Sequence, residues 1–252
     1  MSAEPLPSHM LHEIVSNLRH ADTEAVVLTG SMSRGPAAKL SDVDILAIAP
    51  HHDDSLMLLD GRLVSIAWLS KDAVEHSFKN PEQAVWTVPG WRSATILYDP
   101  ADVAELLQRQ ALDWLWTPEL DNAADRWVAR EIVGYCEDAA RLLRHMQTGN
   151  ALGAAALRSV LAIRMAHIMA VHLRVLYDSE NDLWALVAGR MPAEWGDLQK
   201  RAMGIETHIP DQSARAALRL FVATARQASR LFDHEQREVV NWLCSLVREE
   251  FQ

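Results

Sequence analysis

"VVLTGSMSRGPAAKLSDVDILAIAP", residues 26–50, places two short apolar runs on either side of a Gly-Ser turn, a basic loop and two aspartates one residue apart. Apolar runs of this length that end in Gly or Pro read as strands. In a strand, residues i and i+2 point to the same face, so Asp42 and Asp44 present two carboxylates side by side. Their repulsion is costly unless a cation sits between them. Hard oxygen ligands at this spacing suit Mg²⁺, which shares its coordination sphere with nucleotide phosphates. Upstream, Gly30 and Ser31 end the first run at a turn whose backbone N–H groups and hydroxyl can hold phosphate oxygens. Arg34 and Lys39 add positive charge to the same loop.

The rest of the N-terminal half has the same texture. "SLMLLDGRLVSIAWLS" is two strand-like runs joined by Asp60-Gly61, a hairpin signal, and "RSATILYDP" is one more strand stopped by Asp99-Pro100. Ser8 to Leu18 has helical spacing, and "PEQAVWTV" reads as a second short helix. Near residue 110 the texture changes. From Ala124, the residues Val128, Ile132, Tyr135, Ala139, Leu142 and Met146 recur at helical steps, and Gly149-Asn150 caps that helix. A long helix is expected from about Leu152 to Tyr177, a short one at "ENDLWALVAG", and one or two more between Gln212 and Arg248. The expected class is α+β: a mixed-sheet domain over residues 1–110, then an all-helical domain over 111–252.

Composition narrows the function. A formal net charge of −10 argues against non-specific binding of nucleic acid; it suits a cationic small substrate, and a role in solubility explains it equally well. Cys136 and Cys244 are far apart with no Cys/His cluster, which predicts a reducing compartment and no structural zinc. The N-terminus lacks the pattern of a secretory signal, and Arg158, Arg164, His167, His172 and Arg174 interrupt the most apolar stretch. The expectation is a cytoplasmic protein without a membrane span. His167 and His172, five apart on a helix, do not share a face as a metal pair would and read as core or pocket-lining residues. Trp86, Trp91, Trp114 and Trp116 read first as core packing, with a stacking wall for a base or sugar as the functional alternative.

The combination of strand, Gly-Ser, basic loop and Asp-x-Asp opening a second strand resembles the signature of the nucleotidyltransferase superfamily, the DNA polymerase β-like fold. The order of elements after it is similar to that of the aminoglycoside nucleotidyltransferases of the kanamycin type. That resemblance implies Mg²⁺-dependent transfer of a nucleoside monophosphate, usually AMP from ATP, to a hydroxyl of a small molecule such as an aminoglycoside antibiotic. It implies a homodimer as well. By the same resemblance Gly30, Ser31 and Arg34 hold phosphates, and Asp42 and Asp44 are the Mg²⁺ ligands. Glu137 falls at the place of the family's general base, and Arg141 at that of a triphosphate-binding lysine. The residues themselves allow another reading: Arg126, Arg130, Val133, Glu137, Arg141 and Arg144 form one helical stripe, and a solvated face with a Glu137–Arg141 ion pair explains it without catalysis. Glu131 and Asp138 are neighbouring carboxylates.

The pattern breaks at one point. Most members of the family carry a third carboxylate on a later strand, and here the matching residue is Ser65. Asp60 and Asp99 lie in turns and read as structural. Ser65 motivates a second hypothesis, a catalytically impaired protein of the same fold that binds nucleotide or a partner. A third, nucleotidylation of a protein or RNA end, is disfavoured by the large helical half.

Overall fold

The computed structural model describes residues 6–35, 41–50, 52–205 and 209–251, so Lys39 lies outside the described residues. The chain divides into two compact units, Met1–Trp116 with Leu176–Ser179, and Thr117–Val175 with Glu180–Gln252.

The first unit runs α1 (Ser8–Leu18), β1 (Ala25–Thr29), α2 (Gly30–Ser33), β2 (Val43–Ile48), β3 (Ser55–Leu59), β4 (Arg62–Leu69), α3 (Lys71–Lys79), α4 (Pro81–Arg92), β5 (Thr95–Tyr98) and α5 (Val103–Asp113). The strands form one mixed sheet in the order β3-β4-β2-β1-β5. Only β2 and β4 pair in parallel; β1 with β2, β1 with β5, and β3 with β4 are antiparallel. The turn between β3 and β4 holds Asp60 at φ 49° and Gly61 at φ 73°. Two successive left-handed residues match the twist of the strands they join, which is why Asp-Gly marks a tight hairpin.

Alternation along the strands sorts the core. Val26, Leu28, Val43, Ile45, Ala47, Val64 and Ile66 turn to one face, where α1 lays down Met10, Ile14 and Leu18. Ala25, Val27 and Ile48 turn to the other, against Val74, Phe78, Val88, Trp91 and Leu107 of α3, α4 and α5. Asp44 lies between Val43 and Ile45 in β2, so it belongs to this second face.

The second unit is helical: α6 (Pro118–Gln147), α7 (Ala151–His172), α8 (Glu180–Ala188), α9 (Ala193–Ala202), α10 (Pro210–Gln227), a 3-10 turn at Ser229–Leu231, and α11 (His234–Glu250). Thr117 caps α6 by accepting from the Leu120 N–H, and Asn150 caps α7 by accepting from the Gly153 N–H. Between them Gly149 takes φ 69°, the left-handed stop expected of a C-terminal glycine. Ile132 and Leu142 of α6, Leu161, Met165 and Ile168 of α7, and Phe221 of α10 are fully buried. So is Trp195 of α9, whose indole N–H donates to Thr224 Oγ1 at 2.9 Å. By length and composition α7 could cross a membrane, but half of its most apolar window is buried inside the structure.

The α+β class, with a mixed sheet first and helices after it, is the one the sequence predicts. One helix end differs. The spacing carries α7 to Tyr177, whereas the helix stops at His172. Arg174 adopts φ 57° and turns the chain, held by Asp121 at 2.6 Å and Asp125 at 2.7 Å. The residues beyond it leave the helical unit, and the Tyr177 N–H donates to the Val85 carbonyl of α4 at 2.9 Å. The helices α3, α5 and α9 add to those the periodicity predicts.

Candidate active site

β1 ends at Thr29 and the chain turns at once into α2. Gly30, the first residue of α2, sits at φ 68°. A side chain there would be strained on two counts: the backbone is left-handed, and a Cβ would lie 2.0 Å from Asp44 Oδ2 and 2.9 Å from Asp44 Cγ, so the carboxylate would have to move. The Asp44 carboxylate therefore rests directly against the Gly30 backbone, in a space that only glycine leaves open. Thr29 and Asp44 are register partners across β1 and β2, and the Thr29 hydroxyl donates to the Asp44 carbonyl at 3.3 Å.

Asp44 is half-buried and Asp42 exposed. Burial pushes the Asp44 carboxyl above the usual carboxylate range, the charge of Asp42 pushes it further, and Arg34 opposes both. The charged form of Asp44 is thus disfavoured chiefly by burial and then by its neighbouring carboxylate. Among the described residues no group of three or more His, Cys, Asp or Glu is placed to hold a metal. The donor set that fits a divalent ion is thus the Asp42–Asp44 pair, with the remaining positions left to phosphate oxygens and water as Mg²⁺ prefers. The half-buried Ser31 follows Gly30 in the first turn of α2, where backbone N–H groups lack intrahelical partners. Arg34 is exposed and donates through Nη1 to the Asp178 carbonyl at 3.4 Å. Gly30, Ser31, Arg34, Asp42 and Asp44 therefore share one corner of the first unit.

Ser65 is the register partner of Asp44 on the parallel neighbour β4, and Leu56 is its partner on β3. The row across the sheet reads Thr29, Asp44, Ser65, Leu56, all on one face. Leu56 is 68% exposed and Leu58, two residues on, 73%. Sequence reasoning about the site did not reach Thr29 or these leucines. Their signal was the alternation in "SLMLL", which says that one face of β3 carries leucine whichever side faces solvent.

Glu137 and Arg141 belong to the second unit, on the outward face of α6. Glu137 is 79% exposed at its side chain and lies 3.9 Å from Arg141. Arg141 is bound more closely by Asp138, which raises its pKa above the ordinary arginine value. In the stripe, Arg126, Arg130, Glu137, Arg141 and Arg144 are exposed and Val133 is half-buried, which suits the solvated-face reading. His167 stands edge-on to Trp127, with ring centroids 5.6 Å apart, and burial together with Arg164 lowers its pKa to about 4. Trp91 is buried in the first unit's core, and the Trp114 indole donates to the Phe78 carbonyl at 2.8 Å.

Residues 10–89 match the nucleotidyltransferase domain family. Across both units the fold is similar to that of a nucleotidyltransferase-like protein from Exiguobacterium sibiricum 255-15, with a TM-score of 0.51 over 96% of this chain and 91% of that one. At 12% identity this is a likeness of fold. No curated protein sequence matches the chain significantly.

Proposed function

We propose a specific reaction for a chain whose N-terminal part is a nucleotidyltransferase domain: transfer of AMP from ATP, with Mg²⁺, to a hydroxyl of a small molecule of the aminoglycoside type. The observation that carries the reading is the approach of the Asp44 carboxylate to the Gly30 backbone. It puts a metal-binding carboxylate where a phosphate held by the first turn of α2 would meet it.

In this reading Asp42 and Asp44 would hold the metal, and the chemistry it would supply there is charge neutralisation for the triphosphate and the leaving pyrophosphate. The N–H groups of the first turn of α2, the Ser31 hydroxyl and Arg34 position the phosphates. Glu137 accepts the proton of the acceptor hydroxyl, whose oxygen attacks the α-phosphorus as the bond to the β-phosphate oxygen breaks. Arg141, once released from Asp138, adds positive charge to the triphosphate. A cytoplasmic, homodimeric enzyme acting on neither nucleic acid nor membrane goes with this reading; two free cysteines, one of them buried, accord with a reducing compartment.

One observation favours a second reading. Ser65 stands beside Asp44 where a further carboxylate would complete a two-metal site. A protein so built can hold nucleotide without transferring it. A single assay separates the two. Each labelled NTP is incubated with Mg²⁺ and a panel of aminoglycosides and other hydroxylated antibiotics, and pyrophosphate release is followed. Acceptor-dependent release supports transfer; metal-dependent nucleotide binding with no release from any acceptor supports the binding protein.

A further inference from the structure

The chain is acidic, with 34 Asp and Glu against 24 Lys and Arg, yet one concave region of the second unit is almost wholly basic. A cavity of about 390 Å³ opens between α9, α10 and the end of α11, and a second of about 180 Å³ adjoins it, sharing Val222, Arg226 and Arg248 in its lining. Arg219, Arg226 and Arg248 line the first, with Glu194 as its one carboxylate; Arg226, Arg237 and Arg248 line the second, which has none.

A solvated helix face normally sets acids three or four residues from its bases. Arg215 at the start of this stripe follows that rule, bonding Asp211 at 2.7 Å. The rest do not. Arg248 donates only to the Cys244 carbonyl at 3.1 Å and the Ser245 hydroxyl at 3.4 Å, and Arg237 to the Phe232 carbonyl at 2.8 Å. Arg219 lies over the Phe251 ring, 5.7 Å from its centroid. Among the described residues no carboxylate forms an ion pair with Arg219, Arg226, Arg237 or Arg248. Like charges converging on a concavity repel one another, and the walls concentrate the field. Several guanidiniums without carboxylate partners are matched by an anion carrying several charges; a monoanion leaves most of them uncompensated. Guanidinium forks suit phosphate oxygens. The apolar lining of Leu198, Val222 and Phe251 leaves room for an uncharged portion of the same ligand.

We propose that this concavity, built from α9, α10, α11 and the short connection between the last two, is a second anion-binding site, and that it takes a small polyphosphate with pyrophosphate as its minimal form. The site shares no residue with the Asp42–Asp44 corner and stands whether or not that corner transfers nucleotide.

Cys244 is a built-in reporter. It lines the smaller cavity beside Arg226, Arg237 and Arg248 and is partly exposed, whereas Cys136 is buried and serves as the internal control. Arg248 and Arg226 draw the Cys244 thiol pKa down, although burial outweighs them and holds it above the ordinary value. The full-length protein is kept in EDTA, so that no metal-dependent binding occurs elsewhere, and Cys244 alkylation is timed by mass spectrometry with inorganic phosphate, pyrophosphate, ATP or sodium chloride at matched ionic strength. At ten times its Kd, pyrophosphate slows alkylation about tenfold while chloride does not. R226Q and R248Q abolish the protection, and R226K, which keeps the charge but loses the fork, retains part of it. Calorimetric titration of the unmodified protein with pyrophosphate gives a saturable heat. No protection or heat from pyrophosphate or ATP, equal protection by chloride, or unaltered protection in both glutamine variants overturns the site.

Discussion

Asp44 and Ser65 are register partners on the parallel strands β2 and β4, with side chains on the same face of the sheet. A carboxylate at residue 65 would lie beside that of Asp44, whereas the serine there offers a hydroxyl that carries no charge. In S65D a new carboxylate meets an Asp44 already strained by burial and by Asp42. The metal-free variant melts several degrees below the parent, and the Mg²⁺ needed for half-maximal nucleotide binding falls about tenfold. A thermal melt with and without Mg²⁺ reads both effects; an unchanged metal midpoint means that residue 65 does not face the cation.

Asp44→Asn separates stability from function. The Asp44 carboxyl is held above its ordinary value, so folding disfavours its charged form; that penalty is present at neutral pH and disappears below the unfolded value near 3.8. Removing the charge raises the melting temperature of the metal-free protein at pH 7, and Mg²⁺-dependent nucleotide binding is lost. A variant that binds nucleotide with Mg²⁺ as the parent does sinks the metal assignment.

Gly30→Ala tests the cradle. The added methyl must displace the Asp44 carboxylate and occupy a left-handed backbone, a cost of about 1 to 3 kcal/mol. The variant folds, melts lower, and loses metal-dependent nucleotide binding together with the displaced carboxylate. Gly61→Ala is the matched control, because its φ of 73° is as left-handed as that of Gly30 while a Cβ there meets nothing within 4 Å.

Glu137→Gln distinguishes a catalytic base from a solvated ion pair. The side chain is largely exposed, so the melting temperature stays within a degree or so of the parent under either reading. A base lost from the transition state lowers kcat by roughly 10²- to 10⁴-fold with KM little changed. Turnover near that of the parent assigns Glu137 to the surface.

His167 predicts the acid limb of stability. Its folded pKa of about 4 lies below the ordinary 6.5, so the unfolded chain binds its proton first as the pH falls. Stability is full above about 6.5 and is lost between there and 4, with His172, also lowered chiefly by burial, acting in the same direction. Urea unfolding of the helical unit between pH 7 and 4 shows the loss, and His167→Gln flattens part of it. An unchanged pH dependence in that variant means the imidazole is solvated.

The hairpin at Asp60-Gly61, the strands around Asp42 and Asp44, the start of α1 and the glycine stop after α6 were all legible in the chain, because each depends on neighbours a few residues away. The corner made by Gly30, Ser31 and Asp44 was legible for the same reason: one short connection links its two strands. The end of α7 was not. Arg174 takes a left-handed backbone, and Asp121 and Asp125, some fifty residues earlier, hold its guanidinium there. Without those partners the run to Tyr177 reads as continuous helix.

Local order in the chain thus decides that two carboxylates share a face beside a Gly-Ser turn, since strand pleat and turn chemistry are properties of adjacent residues. Packing decides the rest. It presses Asp44 against Gly30, pairs it with Ser65, and gathers Arg219, Arg226 and Arg248 from two helices around one hollow. Each of these depends on which strand or helix becomes the neighbour, and apolar burial spread over the whole of each unit makes that choice.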